Sequence, residues 1–279
     1  MSLIPNCSAL HLRGAHRSCC ILATSSDGGS AGARTPALRP RKSSGVLRAH
    51  PEGGEIATDD STSDTEDVRP TSYVRELPSS FTVLARDGKW RIRQIDRDNL
   101  DEVRRVVLIQ AEGFHIPNPL PFVDGFLKTS FTAEVLSEMQ KKLKYNPLDK
   151  FVCLVVERTD KNNGRERGET VVEGVVEVSY IDEKEVLASL EPGTPGVVYV
   201  ASMAVAPSAR RQGAAKALLD GAVEVTKEWR EEKAVLHVYQ DNEPAVRLYS
   251  DAGFETIFQD SPLWAKFGVR PRFLMRKEC

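Results

Sequence analysis

Apolar residues are nearly absent between positions 52 and 67, and from residue 80 onward they recur with the periods of strands and helices. Residues 81–85 and 90–95 are short β-prone runs on either side of Asp87-Gly88, the signature of a tight hairpin. After Ile95, Asp98 is placed to cap a helix whose apolar positions Leu100, Val103, Val107, Ala111 and Phe114 repeat every three or four residues. The proline-rich stretch 115–121 ends it, and a second helix over 126–143 carries Phe131, Val135, Met139 and Leu143 on one stripe. Two β-branched runs, 151–156 and 171–181, are separated by a polar loop at 160–169 and predict an antiparallel hairpin, which the run 197–205 extends into a meander. Beyond it the pattern alternates: helix 214–229, strand 234–239, helix 244–252 and a closing strand at 272–276. Antiparallel strands followed by α/β alternation predict an α+β domain over residues 80–279, with a mixed, mostly antiparallel sheet and helices on both faces.

The N-terminal stretch has a different chemistry. Glu52, Glu55, Asp59, Asp60, Asp64, Glu66 and Asp67 lie among Ser, Thr and Gly, so residues 50–79 are expected to be a disordered acidic linker. Residues 1–49 hold seven Lys or Arg, repeated Ser and one acid, Asp27, which is the composition of an organelle transit peptide; a basic tail without targeting function is the alternative. Val46-Leu47-Arg48-Ala49 resembles a plastid processing site, so the expected destination is the plastid stroma, with the mitochondrion as second choice. Loss of residues 1–49 takes the formal charge from −2 to about −8, which argues against a nucleic-acid partner. Cys7, Cys19 and Cys20 leave with the leader, and the remaining Cys153 and Cys279 are too few for a disulfide framework or a zinc site. No apolar run approaches the ~18 residues that span a bilayer.

Two segments carry chemistry. In the first, the apolar strand Met203-Ala204-Val205 runs through Ala206-Pro207-Ser208-Ala209-Arg210-Arg211-Gln212-Gly213 into an amphipathic helix beginning Ala214-Ala215-Lys216. Free backbone N–H groups and the positive end of the dipole make a helix N-terminus an anion site, and Gly213 lets the backbone approach a phosphate closely. A diphosphate suits that geometry. A nucleoside-triphosphate loop is excluded because Lys216 is followed by Ala217 where Ser or Thr is required, and the G-x-G-x-x-G spacing of a dinucleotide fold is absent. The second segment is Asn242-Glu243-Pro244-Ala245-Val246-Arg247-Leu248-Tyr249, ending Ala252-Gly253-Phe254, about 30 residues further on.

Together these segments resemble the GNAT acetyltransferase family. Arg210 to Ala215 match its R/Q-x-x-G-x-G/A signature, with Ala214 departing from the usual larger aliphatic residue or Gly, and Asn242 to Phe254 match its N-x-x-A-x-x-L-Y-x-x-x-G-F element. The resemblance covers roughly residues 90–276 and, with the leader, is similar to the plant and algal plastid branch, whose members acetylate protein N-termini and lysines. It implies a GNAT fold that uses acetyl-CoA and no metal. It further implies that Met203, Ala204 and Val205 pair with the pantetheine arm, that Arg211, Gln212, Gly213, Ala214, Ala215 and Lys216 bind the pyrophosphate, and that Asn242, Glu243 and Pro244 contact the CoA chain. Asn242 is equally suited to capping a helix.

Tyr249 matches the family's general acid, a phenol that reprotonates the departing thiolate and also contacts the cofactor. The base is open. Some protein N-terminal acetyltransferases of the family use a Tyr and a His, and both spacings recur here: Tyr199 eleven residues before Arg210, and His237 five before Asn242. Glu173 and Glu177 are the other candidates. The expected activity is direct transfer of acetyl from acetyl-CoA to protein α-amines and lysine ε-amines; a small-amine acetyltransferase and a silent acetyl-CoA-binding regulator are the alternatives. Loops 115–125 and 182–196 are expected to select the acceptor.

Overall fold

The computed structural model describes residues 75, 77, 78, 80–86, 88–159 and 171–279. The expected leader, all of the linker except Arg75, Leu77 and Pro78, and the polar loop 160–169 lie outside the described residues. The core is an eight-stranded sheet in the order β1-β2-β3-β4-β5-β6-β8-β7. Its strands are β1 (Thr82–Ala85), β2 (Trp90–Gln94), β3 (Phe151–Arg158), β4 (Val172–Ile181), β5 (Val197–Val205), β6 (Lys233–Tyr239), β7 (Glu255–Gln259) and β8 (Arg272–Glu278). Every neighbouring pair is antiparallel except β5 and β6, which are parallel and joined by a crossover helix. Central strands β3, β4 and β5 are apolar runs buried on both faces, as a sheet covered from both sides requires.

Helices α1 (Leu100–Phe114) and α2 (Pro121–Tyr145) cover one face, where Val103, Val106, Val107, Met139 and Leu143 meet Cys153, Val155, Val175 and Ala204. The short α3 (Lys184–Leu187) packs Val186 near Tyr199 and Val235. On the other face α4 (Ala214–Glu228) inserts Leu218, Leu219, Ala222 and Val225 against Ile92, Leu154, Val176 and Val200, and α5 (Glu243–Asp251) joins through Ala245 and Tyr249. A buried ion network ties the first face together. Glu157 of β3, fully buried, binds both Arg91 and Arg93 of β2, and Arg93 reaches Glu102 of α1 at 2.7 Å. Burial opposes ionisation of Glu157, but its bonds to Arg93 and Arg91 outweigh that cost and hold its carboxyl below the ordinary range.

Three local expectations are revised. The cap of α1 is Asn99 rather than Asp98, because Asn99 Oδ1 accepts at 3.1 Å from the amides of both Asp101 and Glu102. Helix α2 begins five residues earlier than expected, with Pro121 in its first turn, where a missing N–H costs nothing. Strand β7 is an added element at the sheet edge; its sequence ETIFQ is largely exposed and has no continuous apolar run. No helix among the described residues is long and apolar enough to cross a membrane.

Candidate active site

The site begins where β5 and β6 part. Only Val198 with Ala234 and Tyr199 with Val235 pair between them. Beyond these, Ser202 takes a left-handed backbone (φ 50°) and the β4–β5 register shifts between Val175 and Glu177. This is a bulge: the extra residue bends the strand and increases its twist. Past it, Ala204 and Val205 stay paired with Val175 and Gly174 of β4, while on the β6 side the ladder has ended. A cavity of about 600 Å³ opens along that released edge, lined there by Met203, Ala204 and Val205.

The loop after β5 closes one end of the cavity. Pro207–Ala209 form a 3-10 turn, Arg211 (φ 60°) and Gly213 (φ 93°) are left-handed, and α4 starts at Ala214 with Gly213 as its cap residue. Gly213 offers no capping side chain, so the first-turn amides have no side-chain acceptor. Arg211, Gly213, Ala215 and Lys216 line the cavity. Gln212 and Ala214 do not, and their packing explains why. Gln212 braces the loop from behind: its carbonyl accepts from Trp90 Nε1 at 3.2 Å, its Oε1 accepts from Arg158 at 2.7 Å, and its Nε2 donates to the Ser208 carbonyl at 2.6 Å. Ala214 is fully buried under the loop, which leaves little room for the larger aliphatic residue common in the motif.

The far wall comes from α5. Glu243 and Pro244 line the cavity, whereas the buried Asn242 caps the helix, its Oδ1 accepting from the Ala245 amide at 3.3 Å. Tyr249 is 2% exposed, lies edge-on to Phe254 with ring centroids 6.0 Å apart, and stands one helical turn behind the cavity-lining Ala245.

Tyr199 and His237, 38 positions apart in the chain, are brought into contact by the two parallel residue pairs. The Tyr199 hydroxyl and His237 Nδ1 are 2.8 Å apart. Burial, reinforced by Arg272 and partly offset by Asp260, lowers the His237 pKa to about 4, so the imidazole is neutral at physiological pH. With its proton on Nε2, Nδ1 accepts from the tyrosine hydroxyl. Both acidic alternatives are engaged: Glu173 accepts from Ser208 Oγ at 2.7 Å, and Glu177 pairs with Lys142 at 2.7 Å and accepts from Gln110 at 2.9 Å. Cys153 is buried in the sheet, and burial together with Glu177 raises its thiol pKa well above the usual value, which leaves it a poor nucleophile. Arg86, Gly113, Arg247 and Leu248 also line the cavity. The last two are consecutive residues on the helix of the second motif; Arg86 and Gly113 are distant in sequence and carry no local signal.

An uncapped helix end beside an edge-exposed, bulged strand lines one cavity, and such a helix end favours anions. Among solved structures, that of Arabidopsis thaliana NAA60 in complex with acetyl-CoA is 19% identical, with a TM-score of 0.48, and the match covers 68% of this chain and 98% of that one. Residues 126–254 match the model of the acetyltransferase (GNAT) family. GCN5-related N-acetyltransferase 10, chloroplastic, from Arabidopsis thaliana is 40% identical over 215 residues, covering 76% of this chain and 82% of that protein. GCN5-related N-acetyltransferase 4, chloroplastic, from the same plant is 29% identical over 160 residues, or 57% of this chain and 51% of that protein. The chain belongs to the GNAT family. It is an N-acetyltransferase that uses acetyl-CoA.

Gly213→Asp tests the loop. The substitution puts a side chain on a left-handed residue and a carboxylate where a diphosphate would lie. Calorimetry of the variant is expected to show no acetyl-CoA binding, and wild-type affinity would remove the phosphate role from the loop.

Proposed function

We propose that the chain transfers acetyl from acetyl-CoA directly to protein amines, N-terminal α-amines ahead of lysine ε-amines, inside plastids. The observation that carries this reading is the 2.8 Å contact between Tyr199 and His237 beside the end of the β5–β6 pairing. Acetyl-CoA supplies the activated thioester. The chain's own groups do the rest: the edge of Met203 to Val205 aligns the pantetheine as an added strand would, and the amides after Gly213 hold the diphosphate. The acceptor nitrogen attacks the acetyl carbonyl, the carbon–sulfur bond breaks, Tyr249 protonates the leaving thiolate, and Tyr199 with His237 orients the amine and takes its proton. Asn242 contributes by fixing the start of α5, so that Glu243 and Pro244 lie along the CoA chain.

A histidine with a pKa near 4 is a weak base. That suits an acceptor already substantially neutral, such as a peptide α-amine with pKa of about 7.7 to 8.0. Lysine, at about 10.4, costs roughly 3.4 kcal/mol more to deprotonate, and an acidic protein surface does not lower that cost. One panel tests the assignment: wild type, His237→Ala and Tyr249→Phe, each with matched N-terminal and lysine peptides across pH 5.5 to 9. N-terminal peptides are expected to react faster at pH 7.5, with lysine rates climbing more steeply as pH rises. No inflection from His237 is expected near pH 6.5, because its lowered pKa keeps it neutral down to about pH 4. Tyr249→Phe should lower kcat by roughly 10- to 10³-fold. Faster lysine transfer at pH 7.5, or full activity of both variants, would contradict the assignment. Transfer confined to small amines, or no transfer with intact binding, would favour the other two readings.

The plastid assignment rests on the composition of residues 1–49 and on the chloroplastic names of the Arabidopsis relatives. A fluorescent protein fused behind residues 1–60 is expected to enter plastids, and cytosolic fluorescence would refute import.

A further inference from the structure

Cavity-lining residues come from the strand, loop and helices of the two motifs, with two exceptions, Gly113 of α1 and the basic Arg86. Arg86 opens the β1–β2 turn, 127 positions before Gly213, and reaches the cavity wall at the loop. The contact is close enough that a Cβ built on Gly213 would collide with the Arg86 Nη1, Cδ and Cζ atoms, so the guanidinium lies directly over the glycine that caps α4.

This placement is held, not incidental. Trp90, on the strand leaving the turn, donates to the Gln212 carbonyl at 3.2 Å, and Arg158 bridges the Trp90 ring (4.7 Å to its centroid) and Gln212 Oε1. The hairpin and the loop are therefore tied one residue away from where Arg86 meets Gly213. Arg86 itself is left-handed (φ 53°), a conformation that glycine adopts freely and a branched or long side chain rarely does. Three of the four other basic residues that line the cavity are engaged, and the fourth, Arg211, belongs to the loop itself. Lys216 pairs with Asp220 at 3.5 Å, Arg247 with Glu243 at 3.2 Å, and Arg210 donates to the Val205 carbonyl at 3.2 Å. Among the described residues, no carboxylate lies within ion-pair reach of Arg86.

We propose that Arg86 is a diphosphate-binding residue, a cation delivered from the N-terminal hairpin to the same anion that the α4 amides receive. The inference rests on the acetyl-CoA reading of the cavity. It adds a guanidinium from outside the loop, with paired N–H donors suited to phosphate oxygens, to the α4 amides and to the loop side chains Arg211 and Lys216 that line the same cavity. It also gives the hairpin a function: β1 and β2 become part of the cofactor site.

The test uses the full chain, with cofactor affinity read by calorimetry and KM and kcat read by transfer. Its probes are acetyl-CoA, 3′-dephospho-acetyl-CoA and S-acetylpantetheine, which lacks phosphate. Arg86→Ala is expected to weaken affinity and raise KM by about 10-fold for both phosphate-bearing compounds, leaving kcat and the S-acetylpantetheine reaction unchanged. Arg86→Lys should fall between. Arg86→Gly, which relieves the left-handed strain, should lose the same affinity without any fall in Tm, separating binding from folding. Equal affinity of Arg86→Ala and wild type overturns the proposal. So does a loss confined to acetyl-CoA, which would move the contact to the 3′-phosphate, or a matching loss with S-acetylpantetheine, which would make the residue structural. If the wild type itself fails to bind acetyl-CoA, the reading of the cavity falls first, and that result is distinguishable from a wild type that binds and a variant that binds equally well.

Discussion

Strand β5 pairs with β6 only through Val198 and Tyr199, and the bulge at Ser202 then turns it away. A sheet that stayed paired would bury the β5 edge and leave nothing for a ligand to pair with. Splitting the sheet on one side alone is tolerable because β4 continues to satisfy Ala204 and Val205, so the backbone groups released are few and face a cavity. The same split sets which side chains meet. The last paired residues bring Tyr199 and His237 into contact, and the edge along the cavity begins at Met203, past the bulge. Site and scaffold are consequently one feature: the strand that carries Tyr199 toward His237 also supplies Met203, Ala204 and Val205 to the cavity wall.

The loop that follows depends on support from the hairpin side. Arg211 and Gly213 are both left-handed, and a chain segment in that conformation needs external bonds to stay there. Gln212 supplies them through three hydrogen bonds, reaching Trp90, Arg158 and Ser208. A residue matched to the motif as a phosphate contact thus holds the loop from behind instead of facing the cavity. Asn242 shows the same division of labour at α5, where its side chain caps the helix while Glu243 and Pro244 face the cavity.

How much of this was legible in the sequence follows from how local each signal is. The strand, loop and helix from Val197 to Glu228 and the helix from Glu243 to Asp251 were legible because their apolar periods and turn residues lie within single short segments. The meeting of Tyr199 with His237 could be suspected from two spacings, but the contact itself is made by a parallel pairing across a crossover helix. Three features were not legible. Asp98 and Asn99 are equally good caps by type, and only the positions of the Asp101 and Glu102 amides choose between them. Strand β7 exists because β8 offers it a ladder, not because ETIFQ has an apolar face. Arg86 enters the cavity through a hairpin whose docking depends on Trp90 and Gln212, a contact that spans 122 positions. Each is a tertiary decision made among locally acceptable choices.

Amide hydrogen exchange of the full chain with and without saturating acetyl-CoA tests the central claim most directly, since the claim is that one unpaired strand edge and one uncapped helix end receive the cofactor. Segments covering 203–205 and 213–216 are expected to slow on binding, while β8 (Arg272–Glu278), paired with β6 along its length and with β7 from Phe273 to Arg276, should be unchanged. Unaltered exchange at 203–216 with protection appearing elsewhere would show that acetyl-CoA binds outside the split between β5 and β6.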